Sequence, residues 1–208
     1  SSCIYPRECK QPIKENYLLS NFLEPTNEAY AISKIAGLKM TNYYSQKYGF
    51  RCVCPMLCNL YGDNDNFDLK NAHVLSALVR KFVDAVDSKK DKITLWGSGE
   101  VKREFIYVDD AVRAIMILLK QKESFEQINV GFGIDISIKD LAKKIAFHTN
   151  FKGEIDWDKS KPDGIPRKLM DNSLINKLGF KPRIDLDEGI KKMINFYTKN
   201  KDQIIKNP

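Results

Sequence analysis

Apolar residues recur along this chain in short patterns that alternate between helical and strand periods. Over residues 27–49 (NEAYAISKIAGLKMTNYYSQKYG) they fall at Ile32, Ala36, Met40 and Tyr43, the spacing of one helix face. Pro25 bars an earlier start and Gly49 suits the position after the last turn, so the pattern predicts one helix of about five turns. Residues 50–60 (FRCVCPMLCNL) are a nearly continuous apolar run of strand length, and residues 1–5 read as the end of a buried strand that enters a loop at Pro6. Strand, helix, strand is the local pattern of a parallel α/β sheet.

A loop rich in Asn, Asp and Gly follows over 61–71. Further helices are expected over 74–87, with an apolar stripe of Leu75, Leu78, Val79, Phe82 and Val86, and over 111–120 behind a cap at Asp109 or Asp110. Another is expected over 138–148, where Ser137 and Asp140 have capping-box spacing. A short helix over 172–178 ends at Gly179. Asp185 with Glu188 opens the last helix, which runs through Tyr197 into a polar tail expected to fray after Lys199. Strands are expected over 93–96, 104–108, 128–130 and 154–157. The division is placed near residue 62: residues 1–62 are the remnant of a parallel α/β sheet, and residues 63–208 are mainly a smaller α+β lobe. A dinucleotide-binding fold uses a Gly-x-Gly-x-x-Gly turn. Gly131-Phe132-Gly133 lacks the third glycine and follows the wrong elements, so it is read as a plain turn.

Composition narrows the function classes. With 208 residues, 43% of them apolar, the chain can bury a core of one large domain or one and a half ordinary ones. The longest apolar run, 114–119, is far short of a membrane span. No signal-peptide pattern opens the chain. Without an initiator methionine the start on SSCIYP is abrupt, and the expectation is a soluble protein with no membrane partner, present as a fragment or processed product. The net charge of +7, from 34 basic and 27 acidic residues, is spread along the length without a stripe of interleaved aromatics. That favours phosphate-bearing small molecules over nucleic acid. Five cysteines with no extracellular signal read as reduced thiols in a cytoplasm. Cys52, Cys54 and Cys58 lack both Cys-x-x-Cys spacing and a histidine partner, so they are assigned to core packing and no metal is expected.

The chemistry starts from Tyr30 and Lys34. Positions i and i+4 share a helix face, roughly 5–6 Å apart at Cβ, and a nearby cation favours phenolate. Alone, the pair is a weak signal: most such pairs are a half-buried tyrosine beside a solvated lysine, and an acid/base tyrosine is the functional reading. His73 stands at a helix entry, and His148 near a helix C-terminus offsets the macrodipole with no catalytic role.

Ser1, Tyr30, Lys34, Asn59 and His73 together are more specific than any pair. With SSCIYP at 1–6, LEPTNEAYAISKIAG at 23–37, NLYGDNDNFD at 59–68, NAHV at 71–74, WGSG at 96–99, REFIYVDDA at 103–111, NVGFG at 129–133 and KPDGIPRK at 161–168, the sequence resembles the extended short-chain dehydrogenase/reductases. Within them it resembles the branch that epimerises and reduces GDP-4-keto-6-deoxy sugars. The resemblance implies the C-terminal part of a Rossmann-type doubly wound parallel sheet plus a smaller α+β substrate-binding lobe. It also implies NADP(H) as cofactor, a homodimer formed through the Tyr30 helix, and conversion of a GDP-4-keto-6-deoxy sugar to GDP-L-fucose or a close GDP-deoxysugar. The family's glycine motif and about a hundred preceding residues are not in this sequence, which implies impaired cofactor binding by these residues alone.

The resemblance also assigns roles. Tyr30 is the proton donor in the reduction, Lys34 lowers its pKa and binds the nicotinamide ribose, and Ser1 hydrogen-bonds the substrate oxygen. Cys3 and His73 are the acid/base pair that inverts C3 and C5. Ser1, Ser2, Tyr30, Lys34, Leu57, Cys58, Asn59, Leu60 and His73 are implied at the cofactor, although relatives have Pro-Thr-Asn where this chain has Leu57-Cys58-Asn59. Lys81, Trp96, Arg103, Asp163 and Lys168 are implied at the nucleotide sugar, Lys81 standing where some relatives carry arginine. Dehydratases of the superfamily have an acidic pair where this chain has Ser2 and Cys3. The alternatives are a C4-reductase acting on a GDP-4-keto-6-deoxyheptose and a non-catalytic truncated chain.

Overall fold

The structure, a computed structural model, describes residues 1–206. Helix α1 spans Glu28–Tyr48, and Gly49 closes it at φ 71°, donating its N–H to the Ser45 carbonyl. Its inward face is Ala31, Ile35, Leu38 and Asn42. Of the expected stripe, Ile32, Met40 and Tyr43 are 53%, 59% and 64% exposed. The helix is apolar on two sides, and a 3.6-residue period does not say which of two stripes turns inward.

Residues 1–5 are not a strand end. Ser2–Ile4 form a 3-10 turn, because the Ser1 hydroxyl accepts the Cys3 N–H and the carbonyls of Ser1 and Ser2 accept from Ile4 and Tyr5. The apolar run after α1 splits into β1 (Val53–Leu57) and β2 (Asn59–Tyr61). At the break, Cys58 donates its N–H to the Val130 carbonyl. Then follow α2 (Val74–Asp87), β3 (Lys92–Trp96), β4 (Lys102–Tyr107), α3 (Val108–Leu119), β5 (Phe125–Val130) and β6 (Asp135–Ser137). The chain ends with α4 (Ile138–Thr149), β7 (Glu154–Asp158), β8 (Arg167–Lys168), α5 (Ser173–Lys177) and α6 (Leu186–Lys206). The short β2, β6 and β8 have no alternating pattern of their own.

Caps decide several boundaries. Ser137 accepts the Asp140 N–H at 3.0 Å, as its spacing predicts. Asp109 and Asp110 do not cap α3: both lie inside its first turn, and buried Asp110 instead accepts from the Arg113 guanidinium and the Arg183 N–H. The last helix does not stop at Tyr197. Lys201 pairs with Asp84 at 2.9 Å and Asp87 at 2.7 Å on α2, which anchors the segment expected to fray.

Two compact units result, each assembled from separated segments. The first comprises Ser1–Leu60, Glu104–Asp135 and Arg167–Arg183; the second comprises Tyr61–Arg103, Ile136–Pro166 and Ile184–Pro208. A single cut near residue 62 meets the first crossing of the chain, but the later segments return, because β5, α3 and α5 complete the core begun by β1. In the first unit β1 and β5 pair in parallel, Pro55 opposite Ile128 and Leu57 opposite Val130, with a bulge after Val53. Its core gathers Ile35, Met56, Ile106, Leu118, Ile128 and Phe180. In the second unit β3 and β7 pair in parallel, Ile93 opposite Ile155 and Trp96 opposite Asp158. Helices α2, α4 and α6 pack on one another there, with Phe67 against Tyr197 and Phe82 edge-on to Phe151. Strands β2, β4 and β6 pair in that order, with β8 beside β4. Parallel pairing joined by crossovers makes this an α/β fold.

Candidate active site

The first unit brings Ser1, Cys3, Tyr30, Lys34 and Lys168 together. The 3-10 turn Ser2–Ile4 packs against α1, and a groove of about 380 Å³ is lined by Ser1, Ser33, Lys34, Thr41, Cys54 and Met56. Tyr30 is 45% exposed, and the Lys34 Nζ lies 5.3 Å from its ring centroid, as i, i+4 geometry requires. A half-exposed phenol with a cation one turn away can give up a proton to a ligand without first breaking a core contact.

Cys3 is held close to a cation in this cluster. Lys168 points its Nζ at the sulfur from 3.6 Å. Burial pushes the thiol up, but the Lys168 ammonium, with hydrogen bonds from Ser1 and Asn27, outweighs it and leaves Cys3 below the ordinary thiol range. The other cysteines do not share this setting. Burial pushes Cys9 up, Cys54 up to about 11, and Cys58 well up. Cys52 and Cys54 both direct their sulfurs at the Asn42 Oδ1, 3.8 Å away, as alternate strand residues sharing a face must.

The expected cofactor segment, Leu57, Cys58, Asn59 and Leu60, runs along β1 and into β2. Cys58 is buried in the first core with Leu57 and Leu60 packed on it, so its contribution to a ligand is limited to backbone. Asn59 donates its side-chain amide to the Glu104 carbonyl at 2.7 Å. Ser2 is buried.

The second unit holds His73, Lys81, Trp96, Arg103 and Asp163. His73 is exposed at the N-cap of α2, with its side chain free of any capping bond. Strand β3 alternates exposed and buried positions and so presents Trp96 outward, 67% exposed. The Nζ atoms of Lys81 and Lys161 each lie 5.6 Å from its ring centroid. Burial lowers the Lys81 ammonium. Asp163 accepts the Ser98 N–H at 2.7 Å, which with the nearby Arg103 holds its carboxyl below the usual range. A cavity of about 180 Å³ is lined by Val74, Trp96, Arg103, Pro162 and Asp163. A flat ring flanked by cations and a guanidinium beside a cleft can take a base and its phosphates.

Sequence reasoning missed two residues of these clusters. Lys161 lies in a quoted segment but was not singled out beside Trp96. Glu104 is fully buried, accepting N–H bonds from Gly133 at 2.6 Å, Met170 at 3.1 Å and the Asn172 side chain at 3.2 Å. Its position between Arg103 and an apolar run was the available signal, since a carboxylate there has no aqueous partner. Lys168, expected at the nucleotide sugar, lies beside Cys3 in the first unit.

The pattern of the NAD dependent epimerase/dehydratase family matches residues 1–131. This chain belongs to that family. It is 47% identical over 200 residues to "Probable GDP-L-fucose synthase 1" of Oryza sativa subsp. japonica, covering 96% of this chain and 61% of the relative. The chain thus spans less than two thirds of that relative's length. Among solved family structures, a GDP-6-OMe-4-keto-L-xylo-heptose reductase from C. jejuni superposes with a TM-score of 0.86 at 34% identity, covering 96% of this chain and 68% of that one. A gdp-l-fucose synthetase from Naegleria fowleri bound to NADP gives 0.87 at 28% identity, covering 97% and 62%. Among the described residues no helix is long and apolar enough to cross a membrane.

Proposed function

We propose that these residues belong to an NADPH-dependent epimerase/reductase that converts a GDP-4-keto-6-deoxy sugar to GDP-L-fucose or a close GDP-deoxysugar. The observation that carries the reading is the presence of Cys3, a thiol below its ordinary range, in the same unit as the Tyr30–Lys34 pair and Ser1. A reductase alone requires a proton donor; a second, thiolate base has work only if a C–H bond is also broken.

NADPH, when bound, supplies the hydride that reduces the C4 ketone. Tyr30 gives the proton that the resulting oxygen requires, Lys34, beside that phenol, would hold the ribose, and Ser1 orients the substrate oxygen. Before reduction the C4 ketone makes the hydrogens on C3 and C5 acidic. Cys3 takes such a proton, the electron pair passes to the ketone oxygen as an enolate, and His73 gives a proton back to the carbon. The backbone of residues 57–60, with Ser2 and the Asn59 side chain, would hold the nicotinamide. Lys81, Trp96, Arg103 and Asp163 take the GDP moiety. The names of relatives support the substrate class, and the NADP-bound neighbour supports the cofactor.

The exposed face of α1, with Ile32, Met40 and Tyr43, supports a homodimer through that helix. Five free thiols support a cytoplasmic setting. The test is incubation of the full chain with NADPH and the GDP-4-keto-6-deoxy sugar in D2O. Deuterium at C3 and C5 of the product is expected; its absence with C4 reduction intact would leave a C4-reductase, the reading that the heptose reductase neighbour favours.

A further inference from the structure

We infer that Lys168 is a positioning residue for Cys3: its ammonium, fixed on β8, lies against the sulfur that the proposed epimerisation uses as its base. The assignment rests on the reading of Cys3 as the base. The contact is a 3.6 Å approach of Nζ to Sγ.

A lysine on a flexible loop would not keep this place, since holding its four-carbon stem costs rotamer entropy. Here both sides of Lys168 are tied. Arg167 pairs with Asp135. Leu169 donates its N–H to the Gln11 side chain at 2.8 Å, and its carbonyl accepts from Ile13 at 2.7 Å. Met170 donates to the buried Glu104 at 3.1 Å. The groups that face the thiol are Lys168 from β8, Ser1 from its own turn and Asn27 ahead of α1, and the same ammonium also acts on Cys9.

The chemistry balances once His73 and solvent are counted: His73 supplies the proton returned to carbon, and solvent takes the proton that the Cys3 thiol releases. The thiolate takes the carbon-bound proton and becomes a neutral thiol, while the C–H electron pair becomes the enolate. Beside Lys168 the charge spent is restored when the thiol loses its proton again. A phosphate-binding lysine would contribute instead to ground-state affinity.

Alkylation of Cys3 by iodoacetamide, followed peptide by peptide across pH in the full chain, reads the thiolate directly and needs no substrate. In the unmodified protein Cys3 should react at lower pH than Cys9 or Cys54, and an ordinary thiol profile at Cys3 would overturn the inference without any variant. Lys168→Met should lower the Cys3 rate near neutral pH by about tenfold or more, since an adjacent cation governs the thiolate fraction; Lys168→Arg should keep the early onset. A Lys168→Met profile that superimposes on the parent, with a raised KM for the GDP sugar, would return the lysine to phosphate binding. Deuterium exchange at C3 and C5 in the parent tests the epimerase reading separately. Exchange that falls in Lys168→Met while hydride transfer persists is the expected joint result. An alkylation shift with no exchange in the parent would sink the epimerase and leave the Lys168–Cys3 pair standing.

Discussion

Replacing Glu104 asks how the first unit holds its site in place. The carboxylate is fully buried and accepts from Gly133, Met170 and Asn172; a methyl group at Gly131 would overlap it. Glu104→Gln preserves the shape and exchanges one acceptor for an NH2. The less costly orientation keeps the oxygen toward Gly133 and Asn172, which places the NH2 against the Met170 N–H. A buried donor left unpaired costs about 1–3 kcal/mol, and relief from burying a charge offsets part of it, so the net loss near neutral pH is about 1–2 kcal/mol. Glu104→Ala strips all three donors and opens a void, at about 4 kcal/mol or more.

The pH dependence has a definite sign. Burial pushes the Glu104 carboxyl above the ordinary carboxylate range, with the backbone donors pulling back only in part. The folded state therefore holds this proton more tightly than the unfolded state. Its contribution is full below the unfolded value of about 4.3 and is lost as pH rises through the higher folded value. Gln does not titrate, so the advantage of the parent over Glu104→Gln is largest at the acid end of that window and shrinks above it. Urea unfolding followed by circular dichroism at several pH values between about 4 and 7 measures both quantities. Equal midpoints at every pH would refute the buried-acceptor account, and an advantage that grows with pH would refute the sign.

Tyr30→Phe should lower ketone reduction at least about 100-fold while leaving the circular dichroism unchanged, because the hydroxyl is on a 45% exposed ring; an unchanged rate would remove Tyr30 as the donor. Gly49→Ala should lower stability by about 1–2 kcal/mol in thermal unfolding. Open space surrounds that Cβ, so the whole cost comes from the φ of 71°, and Gly49→Asn should lose less. Ser137→Ala should lose about 1 kcal/mol through the missing cap of α4, measurable by urea midpoint, and Ser137→Asp should recover most of it.

The elements set by local chemistry were legible. The span of α1 follows from Pro25 and Gly49, α4 from Ser137 and Asp140, and α2 from its Leu75–Phe82 stripe. What failed had more than one local solution. The α1 helix is apolar on two faces, Asp110 satisfies the capping pattern yet is taken by Arg113 and Arg183, and residues 199–206 look like a loose tail until Lys201 meets Asp84 and Asp87. The division into units was legible only at its first crossing, because nothing in residues 104–135 or 167–183 announces which core they join.

The same limit governs the site, as Lys168 illustrates. KPDGIPRK reads as one basic loop, and charge alone sends all its cations to a phosphate. The backbone divides it: Lys161 and Asp163 stay with Trp96 in the second unit, while the pairing of Leu169 with Gln11 and Ile13 carries Lys168 into the first. Five residues beyond Asp163 the chain has changed units, and the Lys168 ammonium lies against a thiol. A role inferred from the residue type is then less specific than one inferred from the strand that carries it. Removing the Leu169 strap, with Gln11→Ala, should therefore weaken Cys3 alkylation near neutral pH in the same direction as Lys168→Met but by less, since the ammonium remains and only its position is relaxed. An unchanged Cys3 rate in Gln11→Ala would show that the lysine finds the sulfur without the strap, and that charge, not backbone pairing, decides where it goes.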